Sequence, residues 1–401
     1  MLNKRKGDLC YLMKQEMKQR LGEKIKCNVG GESYYTYMPK PLPPEPPLVL
    51  ESIYPLLDRA NMALGRLDGM SMILPDISLF LYMYVRKEAV LSSQIEGTQS
   101  SLSDLLLFEN NDTPGALIDD VTEVSNYVAA MSYGLEKIKD GFPLSLRLIR
   151  EIHGILLSKG RGKTKQPGEF RRSQNWIGGT RPGNAHFVPV SPEKLMESLD
   201  TFEKYLHDDK HPLPALIKAG LIHVQFETIH PFLDGNGRLG RLLITFLLCA
   251  DGLLKSPLLY LSLYFKTNRQ LYYDHLQLVR EKGDWEEWLI FFLKGVIETA
   301  NQAFETAQQI VELFNEHREK IEKLGKTSAS MLIVHNYLQR NPRTSTRKVI
   351  EKCALRLPTV LRSFESLEKL GIVEEITGRE RGRVYVYKTY LDLLSKGTEP
   401  L

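Results

Sequence analysis

Cysteine is scarce in this 401-residue chain: Cys10, Cys27, Cys249 and Cys353 lie far apart and form no CxxC pair. That spacing argues against a disulfide framework or a zinc site and fits a reducing, cytoplasmic setting. Long apolar runs are missing as well. The most apolar stretch, Leu242 to Ala250, is far shorter than the ~20 residues that cross a bilayer, so no membrane partner is expected. The first twenty residues are studded with lysine and hold no uninterrupted apolar segment of the kind a secretory signal needs. Charge of one sign is not in excess either: 53 Lys and Arg face 49 Asp and Glu, a net of +4. The chain as a whole is no polycation, and any basic surface for nucleic acid has to be local.

Apolar residues make up 42% and charged residues 25%, the balance of a chain that folds rather than stays disordered. Its length calls for two or three domains. Residues 1–47 form an N-terminal extension in which residues 1–30 read as peripheral or weakly ordered and a proline-rich strap follows, Met38 to Pro47, expected to lie extended on the domain surface; a plain linker or an SH3-type ligand is the alternative. Residues 48–157 are helical by pattern. Ile53, Leu56, Leu57, Ala60 and Leu64 recur at three- and four-residue spacing, a second stretch runs from Ile77 to Leu91, and two more span Val121 to Ile138 and Ser145 to Leu157. Between them Gly97 stops a helix, and Ser101 to Asp104 restarts one with a capping-box-like start. Glycines and prolines break residues 160–192, where Asn175–Ile177 and His186–Val188 flank a turn in the manner of a β-hairpin. Helices then resume and, with breaks, close a region 158–324. Residues 325–401 read as three helices followed by two short strands.

The chemistry concentrates in His230-Pro231-Phe232-Leu233-Asp234-Gly235-Asn236-Gly237-Arg238-Leu239-Gly240-Arg241. An apolar helix ends near Phe226, a glycine-rich turn follows, and a second apolar helix begins. Free amides at a helix start, reinforced by the helix dipole, make an anion cradle. Gly235 and Gly237 allow a phosphate to approach the backbone closely. Arg238 and Arg241, three apart on the first turns, suit a polyphosphate. Asp234 is a hard oxygen ligand well placed for Mg²⁺. His230 is the residue of the run that exchanges protons near neutral pH.

This run resembles the Fic family pattern HPFx[D/E]GN[G/K]RxxR at every specified position, and Gly168 to Arg171, Ile177-Gly178 and Ala185 to Pro189 resemble the family's flap. The resemblance covers about residues 40–300. It implies a mainly α fold, a Fic-type helical bundle with a small β-hairpin flap, and a protein adenylyltransferase that moves AMP from ATP to a hydroxyl of a target protein, itself included. His230 would be the general base. Asp234 would hold Mg²⁺ at the α- and β-phosphates. Gly235, Asn236 and Gly237 would form the anion hole, and Arg238 and Arg241 would grip the β- and γ-phosphates. Phe232 would pack in the core, and the flap, about Ile177 to Val188, would align the target peptide by strand addition. Gln225 and the stretch Tyr264 to Tyr273, with Asn268 and Tyr272 in it, are the candidates for adenine contacts. Gly235 and Gly237 stand where the family's kinases carry Ala and Lys, which favours nucleotidyl transfer. Phosphocholine or UMP transfer stays open.

Ser92-Ser93-Gln94-Ile95-Glu96-Gly97 resembles the family's inhibitory-helix motif. It implies a brake in which Glu96, itself part of the ATP site, pairs with Arg241; glutamates at this position also leave removal of AMP open. The C-terminal module resembles a winged helix, with Arg347 to Cys353 as its second helix, a third from Leu357 to Leu370 and a wing from Val373 to Tyr387. From Arg343 to Lys388, 11 Lys and Arg stand against 6 Asp and Glu. A local excess of +5 is the footprint of DNA contact, with protein packing as the alternative. A regulator that uses the Fic domain as a nucleotide sensor and binds DNA is the competing function. A homodimer is a further expectation from the resemblance.

Overall fold

A computed structural model describes residues 15–29, 31–73, 77–109, 118–208, 210, 212–325, 328–379 and 382–399. The region expected to be weakly ordered contains a regular hairpin instead: β1 (Glu23–Val29) pairs antiparallel with β2 (Glu32–Met38), with Ile25 opposite Thr36. Tyr34 and Thr36 share a buried face with Ile25 and Cys27 opposite them, while Lys26 and Tyr35 pair on the other face, the period-2 arrangement of a half-buried strand pair. Cys10 lies outside the described residues, and Cys27, Cys249 and Cys353 are free thiols.

The proline-rich segment lies on the domain surface as a strap. Arg20 holds it, Nε donating to the Pro46 carbonyl at 2.8 Å and Nη2 to that of Pro47 at 2.6 Å, while Glu286 Oε2 accepts from Arg20 Nη1 at 2.7 Å. The strap bends along its length and is not one extended run.

The helical region follows the apolar periodicity. Helices α1 (Tyr54–Ile73), α2 (Ile77–Ile95), α3 (Leu102–Glu109), α4 (Ile118–Lys139) and α5 (Leu146–Leu156) come first. Ile53, Leu57, Ala60 and Leu64 are all buried. The restart of α3 is a true capping box: the Asp104 amide donates to Ser101 Oγ at 3.2 Å and the Ser101 amide to Asp104 Oδ2 at 2.9 Å. Ser145 caps α5, its Oγ accepting from the Leu148 amide at 3.4 Å. After the glycine-rich stretch come α6 (Pro192–Leu206), α7 (Ala215–Ile229), α8 (Asn236–Ala250), α9 (Ser262–Thr267) and α10 (Arg269–Lys282). Helices α7 and α8 are buried almost all round, as expected of helices apolar on every face.

The expected flap strands shrink to a single antiparallel bridge, Ile177 with Phe187. Gly178 and Gly179, both at φ +69°, close its turn. The hairpin β1–β2 docks against it: the Tyr37 amide donates to the Val188 carbonyl at 3.0 Å, and Arg181 reaches Glu32 at 3.1 Å. One edge of the flap is therefore already taken by the chain itself.

Helix α11 (Trp285–Glu322) runs 38 residues along α1 and onward into the C-terminal module. That module contains α12 (Ser328–Arg340), β3 (Arg343–Ser345), α13 (Thr346–Cys353), α14 (Leu357–Lys369), β4 (Glu374–Glu375), β5 (Val384–Val386) and α15 (Lys388–Ser395), with sheet order β3-β5-β4. The three helices and two strands of the expected winged helix are present, and β3 is an addition. Pro358 in the first turn of α14 and Gly371 at φ +70° just past its end suit those positions. Buried Tyr387 joins the module to α11, sharing its hydroxyl with His317 Nδ1 at 2.7 Å and His335 Nε2 at 3.2 Å. Beyond α15 the tail returns to the brake motif: Gln94 Nε2 donates to the carbonyls of Ser100 at 3.0 Å and Thr398 at 2.8 Å. Among the described residues no helix is long and apolar enough to cross a membrane.

Candidate active site

His230 closes α7 in the left-handed conformation, φ +50° and ψ +61°. A non-glycine residue held there carries roughly 1–2 kcal/mol of strain. Its surroundings hold it: Arg171 Nε and Asn175 Nδ2 donate to the His230 carbonyl at 3.0 and 3.2 Å. The ring is fixed by its own helix. Nδ1 lies 3.3 Å from the Glu227 carbonyl, which can only accept, so Nδ1 carries the proton and Nε2 keeps a free lone pair. Burial, with Arg280 adding to it, lowers the imidazole pKa to about 3. The ring is neutral at pH 7, as a proton acceptor has to be.

The turn behind it is over-determined. Asn236 sits inside it like a clasp: its Oδ1 accepts from the Phe232 amide and its Nδ2 donates to the Phe232 carbonyl, both at 2.9 Å. Phe232 is fully buried and stacks on His153, ring centroids 3.7 Å apart. His153 Nδ1 accepts from the Gly168 amide at 2.9 Å, which leaves its Nε2 to donate to the Asp234 carbonyl at 3.0 Å. Burial lowers its pKa to about 4, so it is neutral in this role. Gly235, at φ +77°, caps α8. The amides of the first helical turn have no carbonyl one turn earlier to serve, and they point at the space in front of the helix.

A carboxylate already stands over this helix start. Glu96, at the end of α2, accepts from Arg241 Nη2 at 2.7 Å. A Cβ at position 237 would lie 2.2 Å from Glu96 Oε1, so any side chain there would displace the carboxylate from this position. Ser92 fixes the same arginine, its Oγ accepting from Nε and its carbonyl from Nη2, both at 2.9 Å. The Arg241 side chain is 2% exposed and that of Glu96 36%, a pair dry on one side and open on the other. Burial opposes the charge on Glu96, but Arg241, followed by Arg238 and His230, outweighs it and holds the carboxyl below its usual range. Burial likewise opposes the charge on Arg241, and Glu96 outweighs it. Glu96, Arg241, Arg238 and His230 thus share one electrostatic neighbourhood.

Other expected positions need revision. Arg238 is engaged by carboxylates other than Glu96. Its Nη1 meets Glu123 Oε2 of α4 at 3.2 Å, and its Nη2 meets Asp234 Oδ1 at 3.6 Å. The Asn236 side chain is a clasp of the turn and is not free for an anion. Gln225 faces the strap, Nε2 donating to the Lys40 carbonyl at 2.8 Å. Tyr272 is buried, stacked on Phe265 at 4.5 Å and bonded through its hydroxyl to His223 Nε2 at 2.8 Å. Asn268 caps the end of α9, donating to the Tyr264 carbonyl at 3.0 Å. Half-buried Tyr273, the last residue of the stretch expected near the adenine, lies within reach of the charges of Glu96 and Arg241, with the Arg269 guanidinium 5.5 Å from its ring centre. Arg171, Asn175 and His153 were given no role at the site from the sequence. Each acts through the backbone of a distant segment, which no local spacing reveals.

Asp234 has a carboxylate 41% exposed in its side chain, with Oδ1 accepting from the Gly235 amide at 2.6 Å. Among the described residues no group of three or more His, Cys, Asp or Glu could hold a metal by itself. One exposed carboxylate beside a phosphate cradle fits Mg²⁺, which is usually bound through one or two carboxylates with phosphate oxygens and water completing the shell.

Residues 54–136 match the Fic/DOC family N-terminal profile, residues 143–248 the Fic/DOC family profile, and residues 332–374 a winged helix-turn-helix DNA-binding profile. A protein adenylyltransferase Fic of Aedes aegypti is 35% identical over 202 residues, 49% of this chain and 37% of the relative. One of Drosophila yakuba is 29% identical over 239 residues, 58% and 45%. The chain thus spans less than half the length of these curated relatives. Among solved structures, a Fic family protein from Desulfovibrio desulfuricans G20 superposes with a TM-score of 0.55 at 18% identity, covering 86% of this chain and 98% of that one. A Fic domain containing signaling protein from Bacteroides thetaiotaomicron gives 0.51 at 22% identity, covering 63% and 97%.

Proposed function

We propose that this chain, which carries Fic/DOC N-terminal and Fic/DOC domains followed by a winged helix, is a protein adenylyltransferase held in check by Glu96. The observation that carries the reading is the convergence of a neutral, Nδ1-protonated His230 and the first turn of α8 beneath a single carboxylate. An ATP polyphosphate is the anion that the same helix start would accept in place of Glu96.

In the reaction, the target hydroxyl gives its proton to His230 Nε2 as its oxygen bonds to the α-phosphorus. The bond from the α-phosphorus to the bridging oxygen breaks, and pyrophosphate leaves. The amides at the start of α8 receive phosphate charge, and Gly235 and Gly237 give it access. Asp234 would hold Mg²⁺, which neutralises phosphate charge when bound. Arg241, once freed from Glu96, is the cation for the far phosphates, and Arg238 needs the same release from Glu123. The outer edge of the flap around exposed Trp176 is the place for a target strand, because Ile177 is paired with Phe187 and the Val188 edge is occupied by β2. The target class is a protein side-chain hydroxyl, and the winged helix is the segment that would contact duplex DNA.

The test is incubation of the Glu96→Gly chain with ATP labelled at the α- or the γ-position. AMP transfer requires α-label on protein and none from γ. γ-Label alone would make the chain a kinase. Absence of both would favour a nucleotide-sensing regulator.

A further inference from the structure

The reaction as described leaves one buried acid at its centre without a task. Glu227 lies on the last turn of α7, three residues before His230, and is 5% exposed. Its Oε2 is 3.8 Å from His230 Nδ1. Its Oε1 is buried and has no hydrogen-bond partner among the described residues. A buried carboxylate oxygen without a partner costs stability, and such an atom in a native fold calls for an explanation. The neighbouring helix is shaped to admit it: a Cβ at Gly240 on α8 would lie 2.4 Å from Oε1. Its peptide carbonyl is committed elsewhere, accepting from Arg280 Nη2 at 3.0 Å as well as facing His230 Nδ1.

The charged groups around it are few. Arg241 faces it from α8, Glu96 from α2, and Arg280 and Tyr272 from α10. Burial raises its pKa to about 7, with Arg241 and Arg280 opposing and Glu96 reinforcing. The acid therefore changes charge within the range where a transferase of this kind operates.

We infer that Glu227 is a positioning residue for the transfer reaction, a carboxylate placed behind Nδ1 to stabilise the imidazolium that forms on His230. The inference rests on the adenylyltransferase reading. As Nε2 accepts the hydroxyl proton, the ring becomes a cation in a buried site, and the side chain nearest its far nitrogen is this carboxylate. Glu227 exchanges no covalent bond in the step; the Nδ1 proton stays on the ring. A buried acid behind the far nitrogen of a general-base histidine is how unrelated hydrolytic sites orient and stabilise theirs.

The experiment compares the full-length Glu96→Gly chain with the Glu96→Gly/Glu227→Gln chain for AMP incorporation between pH 6 and 8.5. Glutamine keeps the shape and removes the charge. Expected is a fall in kcat of about tenfold above pH 7.5 that narrows steadily toward pH 6, as the parent acid takes up its proton. KM for ATP should stay within about twofold, and Glu96→Gly/Glu227→Asp should recover part of the rate. A loss equal at every pH, or no loss, overturns the inference. If the glutamine variant fails to fold, the aspartate variant decides: a pH profile identical to the parent's overturns it. A Glu96→Gly parent that moves no AMP overturns the adenylyltransferase reading itself, and this is seen before any Glu227 variant is made.

Discussion

The catalytic turn and the wing are both short segments marked by glycine and arginine, and they use those residues in opposite ways. In the turn, Asn236, Arg238 and Arg241 are all buried and each is bonded to a defined partner. On the wing, Arg379 is exposed and Arg383 half-buried, and the contact between them is Arg383 Nε to the Arg379 carbonyl at 3.0 Å; Arg381 falls outside the described residues. Buried polar groups have to be satisfied by the fold, so a change in the turn costs both stability and chemistry. Exposed charges act on a partner, so a change in the wing should touch binding and little else.

That contrast can be broken at four points. The largest effect belongs to His230→Ala, which should lose at least about a hundredfold in AMP transfer, the span general-base catalysis provides. ATP affinity should stay within a few-fold; near-normal transfer would remove the mechanism. Next is Glu96→Gly, expected to raise transfer by about tenfold or more. A tenfold change corresponds to about 1.4 kcal/mol, within reach of an ion pair with one partner buried. Unchanged incorporation would count against the brake. Asn236→Ala should destabilise the chain by about 1–3 kcal/mol, because the Phe232 amide and carbonyl lose their partners in a buried turn. A urea midpoint indistinguishable from the parent's would show that the clasp is dispensable. The smallest effect is on the wing. Arg379→Ala together with Arg383→Ala should leave the melting temperature and AMP transfer unchanged while lowering the salt slope of duplex-DNA retention by about two. A drop in melting temperature instead would make the wing a packing element and blur the comparison.

Much of this site could be read from the chain because its chemistry is local. The run from His230 to Arg241 puts a histidine, a glycine turn at a helix start and two arginines within twelve positions, and the periodicity of Ile53 to Leu64 found a core helix. What was misplaced fails for a common reason. Gln225 and Tyr272 have side chains suited to a base, yet their directions are set by the strap at Lys40 and by His223, far away in sequence. The N-terminal hairpin was not expected, and the strand pair docks on the flap, a contact with residues far along the chain. His153 and Arg171 support the turn through backbone carbonyls, contacts to which one stretch of sequence carries no pointer.

By itself the sequence determined which groups this protein can use: a histidine to accept a proton, glycines to admit a phosphate, a glutamate at the end of a helix and arginines to hold charge. These follow from residue chemistry and from spacings shorter than two helical turns. The tertiary structure decided where those groups are committed. It set Glu96 of α2 over Gly237 of α8, turned Arg238 toward Glu123 of α4, and buried Glu227 behind His230. Each of these pairings closes a gap in the chain that only packing of the helices against one another can bring to contact distance, and the water excluded there is what gives the charges their force.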